Sequence, residues 1–383
     1  MRPVVPAAHP GGLRATFAAS VAGLTERADT IGVSVSGGLD SLATLVHACA
    51  VADGRRVIAF TVALTDDQGR SCVPVVRKLL RDVGLAHVEV EVIDPARHWV
   101  DPRWSAHGPR LDALPGLNAA VAQRAVSRGV EVLLSGLGSD ELLGVPRYAT
   151  APIARRYGLR AAARYAGDVA RSGPGLLGEA LAVAARVMPA QASAGAYWAA
   201  NWPEWCDPQA TPVLAEPYRG NATHWARSWV REQVSGHAGA GRSWVQADAH
   251  DAFYPHEAMG PAGDVVEASP FLTEQFLAAA FAVPLADRYR PDLPSGYWRC
   301  KSLVLSLLPD RAIRALPRTK QYYSAAMAHE AAGLDTSGPL LVTETGLIDR
   351  AHLARETDTA VLLVVSAIER WLIGAIEHGA RIN

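Results

Sequence analysis

The stretch Ile31-Gly32-Val33-Ser34-Val35-Ser36-Gly37-Gly38-Leu39-Asp40-Ser41 runs from a β-branched apolar segment through two glycines into a segment where Leu42, Leu45, Val46 and Cys49 recur at helical spacing. That order predicts strand, tight loop and helix. Glycines let backbone amides come close to an anion, and the start of the helix adds a partial positive charge. Asp40 would repel a bare phosphate, but it fits if a magnesium ion bridges its carboxylate and phosphate oxygens. The loop therefore asks for a metal-bound polyphosphate.

Working outward, further strands are expected over 57–62, 88–93 and 132–134. An amphipathic helix is expected over 73–83, with Pro74 near its start and Gly84 just past its end. Short β-branched runs alternating with amphipathic stretches predict an α/β part with a parallel sheet over about 11–145. From 146 to 383 the strand signal fades, and segments such as IARRYGLRAAARYAGDVARSG predict a mostly helical part within one 383-residue domain. AIERWLIGAIEH near the end reads as an amphipathic helix in which Trp371 packs, and GHAGAGR at 236–242 as a flexible loop. Trp198, Trp202, Trp205, Trp225, Trp229 and Trp244 are concentrated in one region and read mainly as core.

Composition excludes several classes. With 49% hydrophobic residues and a net charge of −1, the chain can bury a core and carries no basic footprint for nucleic acid. Cys49, Cys72, Cys206 and Cys300 form no C-x-x-C pair, which fits reduced thiols. The first 30 residues lack the apolar core of a signal peptide, so a cytoplasmic protein without membrane partners is expected. No glycine-lysine pair occurs, which excludes a Walker loop. Lysine is scarce: only Lys78, Lys301 and Lys320 stand among 37 basic residues, so a retained lysine points to a need for its compact ammonium.

A second motif follows the strand at 132–134: Leu133-Leu134-Ser135-Gly136-Leu137-Gly138-Ser139-Asp140-Glu141-Leu142-Leu143-Gly144. Together with Ser36–Ser41 it resembles the asparagine synthetase superfamily, whose synthetase domain has the N-type ATP pyrophosphatase fold. Ser269-Pro270-Phe271-Leu272, Lys301-Ser302-Leu303-Val304, Leu308-Pro309 and Arg318-Thr319-Lys320-Gln321-Tyr322 resemble later family elements. The resemblance spans about 11–330. It implies ATP and magnesium as cofactors, with Ser36, Gly37, Gly38, Leu39, Asp40, Ser41 and Lys301 on pyrophosphate, and Asp40 and Asp140 on the metal. It places Ser34, Val62, Ser135 and Gly136 on adenosine, and makes Lys320 the catalytic lysine that stabilises charge as an acyl adenylate is made and broken.

Departures from the family narrow the expectation. Arg2 follows the initiator methionine, where a glutaminase would place its cysteine, so no glutaminase domain is expected. Leu137 stands where asparagine synthetases have a glutamate near ammonia and β-lactam-forming relatives a tyrosine. Val266, Glu267 and Ala268 replace an E-x-R element. The expected activity is AMP-forming ligation of a small-molecule or peptide carboxylate to an amine in specialised biosynthesis, with a pathway protein as a conceivable partner. Rival readings are an ammonia-fed asparagine synthetase, a tRNA-modifying ATP pyrophosphatase and a non-catalytic scaffold. Asp264, Glu257, His256, Glu267, Tyr322 and Tyr323 are candidates for the base, none singled out by spacing.

Overall fold

Strand β1 (Thr30–Ser34) has Ile31, Gly32 and Val33 fully buried, as expected of a parallel strand covered on both faces. It lies between β2 (Arg56–Val62) and β4 (Val132–Leu134); β3 (Glu89–Ile93) flanks β2, and β5 (Val266–Ala268) flanks β4. All four pairings are parallel. The sheet is of the ATP pyrophosphatase type, flanked by helices. The structure, a computed structural model, describes residues 12–145, 149–170, 211–243 and 263–381, together with 180, 184, 188, 189, 246, 247 and 250.

Order 3-2-1-4-5 reverses between β1 and β4, and the carboxyl ends of two such strands flank the crevice where open α/β sheets take ligands. Both sequence motifs leave the sheet at that point. On one face, α4 (Pro115–Ser127) contributes Ala120, Val121, Ala122 and Ala125 to a core with Ile58, Phe60, Ile93 and Leu133. On the other, α1 (Gly12–Thr25) inserts Phe17, whose ring lies 4.6 Å from Phe271 and 5.0 Å from Phe276. Helix α3 (Cys72–Asp82) stops as anticipated, with Gly84 at φ +81° where a left-handed residue ends a helix.

The chain divides into two units. The first comprises 1–105, 112–144 and 256–327, so the path returns to the sheet after the break expected at 145, because β5 pairs in register with β4. The second holds 106–111, 145–255 and 328–383. Its helices Thr150–Tyr157 and Leu159–Val169 are separated by Gly158 at φ +85°.

The expected loop at 236–242 is instead mostly the end of a helix, Tyr218–Gly239. Ala226, Trp229 and His237 are buried along one of its faces, and this burial outweighs a cost of about 1 kcal/mol for each interior glycine. Trp225 is half exposed and stacks beside Trp229 at 6.2 Å; Trp198, Trp202, Trp205 and Trp244 lie outside the described residues, as does Cys206. Cys49, Cys72 and Cys300 are free thiols.

The closing helix, Thr359–Glu377, is long and apolar enough to cross a membrane by length and composition. Its buried Glu369 accepts hydrogen bonds from the Leu341 and Val342 backbones at 3.0 and 2.9 Å, which is how a core helix caps a neighbour.

Candidate active site

The first loop holds its shape from within. Ser36 N–H donates to Ser41 Oγ at 3.2 Å, Gly38 N–H donates to Ser36 Oγ at 3.4 Å, and Gly37 sits at φ +84°. Gly38 caps helix α2 (Leu39–Val51) without a side-chain acceptor, leaving the helix start available to an anion. Leu39 faces the core with no exposure, so only its backbone belongs to the site. The Leu39 backbone reaches the hydroxyl of half-buried Tyr297; loss of solvent, then Asp40 and Asp140, push that phenol well above its ordinary range.

The second loop is packed against the first. A Cβ on Gly136 would stand 3.0 Å from Ser41 N and 3.1 Å from Asp40 Cβ, so glycine is what lets the two loops close. Thr44 Oγ1 donates to Ser135 O at 3.3 Å, and Ser139 Oγ donates to the Asp40 carboxylate. Asp140 lies in the first turn of α5 (Ser139–Leu143). Buried Arg288 donates to Leu142 O at 2.6 Å and to Ala280 O at 2.7 Å, fixing the end of that short helix. Ser269 Oγ donates to Leu137 O at 2.7 Å, and the Leu137 side chain is exposed.

Two lysines meet the two aspartates. Lys301 lies between α6 (Gly296–Cys300) and α7 (Ser302–Leu307), is buried, and bridges Asp40 at 2.7 Å and Asp140 more closely. Lys320 reaches Asp140 Oδ2 at 3.3 Å and lies 5.9 Å from the Tyr322 ring centre. Burial favours the neutral form of both Lys301 and Asp140, but attraction between Lys301 and the two carboxylates, Asp40 first and then Asp140, wins. The Lys301 pKa rises and, with Lys320 assisting, that of Asp140 falls, so both stay ionised.

Ser34, Ser36, Gly37, Gly38, Asp40, Ser41, Val62, Gly136, Asp140 and Lys320 line one cavity of about 430 Å³. Phe60, Val62, Leu64, Leu114, Leu117 and Val121 add apolar lining to the same cavity, the mixture of apolar walls and a few polar groups usual for a small-molecule site. Lys301 touches the cavity through Asp40 and Asp140, and Ser135 supports it through its backbone. Two carboxylates close enough to share the Lys301 ammonium would also suit magnesium, which keeps one or two carboxylates and takes its remaining ligands from water and phosphate.

A protein-family model for asparagine synthase matches residues 12–360. The chain belongs to the asparagine synthase family. A comparison with curated proteins finds no match. Family members are ATP-dependent amide-forming ligases that use ATP and magnesium.

Among the candidate bases, His256 and Glu257 lie outside the described residues. Asp264 pairs with Arg103, Glu267 is exposed on β5, and Tyr322 is exposed. Burial, with Cys72 and Asp66 adding to it, pushes the Tyr323 phenol up to about 12, so at neutral pH it is a hydrogen-bond donor. The sequence reading missed Tyr297, Gln321 as a structural group, and Asp66. Burial, first among the influences on Asp66, raises its pKa, but hydrogen bonds from Arg70, Gln321 and Gln68 bring it down to about 2.

Proposed function

We propose that this chain is an AMP-forming ligase that activates a carboxylate with ATP and passes the acyl group to an amine in specialised natural-product biosynthesis. One observation carries the proposal: Asp40, Asp140, Lys301 and Lys320 converge at the carboxyl ends of β1 and β4, beside a cavity with both polar and apolar lining.

In this reading Ser34, Val62 and Gly136 would line the adenosine site with Ser135 behind them, the Ser36–Ser41 loop would take the β- and γ-phosphates, and Asp40 with Asp140, held by Lys301, would hold magnesium. Magnesium supplies neutralisation of polyphosphate charge. The substrate carboxylate oxygen attacks the α-phosphorus, and the bond to the bridging oxygen of the β-phosphate breaks. Pyrophosphate stays against the loop. The amine then attacks the acyl carbon, the bond to AMP breaks, and the amine proton passes to a base or water.

Lys320, held at the cavity by Asp140, is placed to oppose negative charge on the adenylate in both steps. Fixed backbone amides and ammonium groups contribute by positioning and preorganised charge rather than by a covalent intermediate.

The exposed, apolar Leu137 favours an organic amine over ammonia, since it can neither accept a proton nor hydrogen-bond ammonium. The test is isotopic: with an accepted acid labelled with oxygen-18 in its carboxylate, one labelled oxygen should appear in AMP. Label remaining wholly in the amide or the acid would overturn adenylation.

A further inference from the structure

Outside the carboxylate–lysine cluster, a second buried polar group stands beside the phosphate loop. Asp66 is 4% exposed and lies in a turn after β2, closed by a bridge between Thr65 and Ser71. Its two oxygens have separate tasks. Oδ1 accepts from Gln68 N at 3.0 Å and Arg70 N at 2.8 Å, which builds the turn itself. Oδ2 accepts from Arg70 Nε at 2.9 Å and from Gln321 Nε2 at 3.2 Å, 255 residues away in the chain.

Gln321 is the residue after Lys320. Its other amide atom, Oε1, accepts from Tyr323 Oη at 3.4 Å and sits where a Cβ on Gly37 would come within 3.0 Å of it. Tyr323 Oη also lies 3.2 Å from the Ser36 carbonyl. Asp67 N–H donates to Tyr322 O at 2.9 Å, so the turn grips the lysine-bearing segment at its backbone as well. Resting on the function proposed above, we infer that Asp66 is a positioning residue: through Gln321 it sets the Lys320 segment against the Ser36–Gly37 loop.

Asp66→Asn keeps a carbonyl for the turn, turns the face towards Gln321 from acceptor to donor and gives up the Arg70 ion pair on the same oxygen. Gln321→Glu places two carboxylates together, and the double variant restores a donor–acceptor pair with the roles exchanged. The readouts are deuterium uptake of the peptide spanning 318–325 and calorimetric affinity for magnesium pyrophosphate. Each single variant should raise uptake several-fold and weaken binding about tenfold, the loss of one hydrogen bond to a charged group, and the double variant, which regains that bond but not the Arg70 contact, should recover a large part of both. Wild-type uptake in the single variants, or a double variant as impaired as they are, overturns the inference. A wild-type chain that binds no magnesium pyrophosphate removes the nucleotide reading, and the uptake comparison then decides the positioning role by itself.

Discussion

Lys301→Met leaves Asp40 and Asp140 facing each other without the cation that now joins them. Methionine matches the length and apolar stem of lysine, so the main loss is electrostatic. Removing one partner of a buried ion pair costs about 3–5 kcal/mol. Asp140 is half exposed, so solvent screens part of that and about 2–3 kcal/mol is expected. For a unit of this size the melting temperature should fall by roughly 4–12 °C. Magnesium should return part of the loss, because an ion that binds the folded state stabilises it by mass action and the variant's carboxylates have lost the Lys301 ammonium, leaving only Lys320 beside Asp140. Differential scanning calorimetry in EDTA and in millimolar magnesium separates the two effects. An unchanged melting temperature in EDTA, or equal gains from magnesium in variant and wild type, would refute the reasoning.

Three further outcomes follow from the geometry. Gly136→Ala drives a methyl towards the Ser41 and Asp40 backbones, so stability measured in urea should drop by about 1–3 kcal/mol and magnesium pyrophosphate affinity should fall with it. Lys320→Ala should cut turnover about 10²–10³-fold with much less effect on ATP affinity, whereas Asp40→Ala and Asp140→Ala should abolish pyrophosphate release; undiminished turnover removes the residue concerned from the site. The native-state pKa of Asp66 is depressed to about 2, so its contribution is present above the unfolded value near about 4 and is lost as pH falls from there to about 2. Urea-unfolding free energies of wild type and Asp66→Asn, measured by circular dichroism across pH, should therefore diverge above that window and converge below it.

The strands that matter most could be read because they are buried on both faces: Ile31 to Val33 and Val132 to Leu134 are unbroken apolar runs. The loop after β1 and the loop after β4 could be read because glycine has a structural reason in each: Gly37 takes φ +84° and Gly136 lets the two loops close. Strand β5 could not, since Val266-Glu267-Ala268 is three residues long and half solvated, and only its pairing with β4 makes it a strand. The glycines of 236–242 suggested a loop because local propensity was weighed without the buried stripe that carries the helix to Gly239. Lys301 was read as a pyrophosphate contact. Its bridge between the two aspartates is a tertiary fact, as is the hydrogen bond from Gln321 to Asp66, a residue that in sequence is only part of a polar turn.

The central claim is tested most directly by incubating the protein with magnesium ATP and a panel of carboxylic acids and amines, including aspartate with ammonium, and quantifying nucleotide products. The account predicts AMP and pyrophosphate in equal amounts, dependent on an acid and accelerated by an organic amine. ADP and phosphate as products, or full activity with aspartate and ammonium alone, would contradict it.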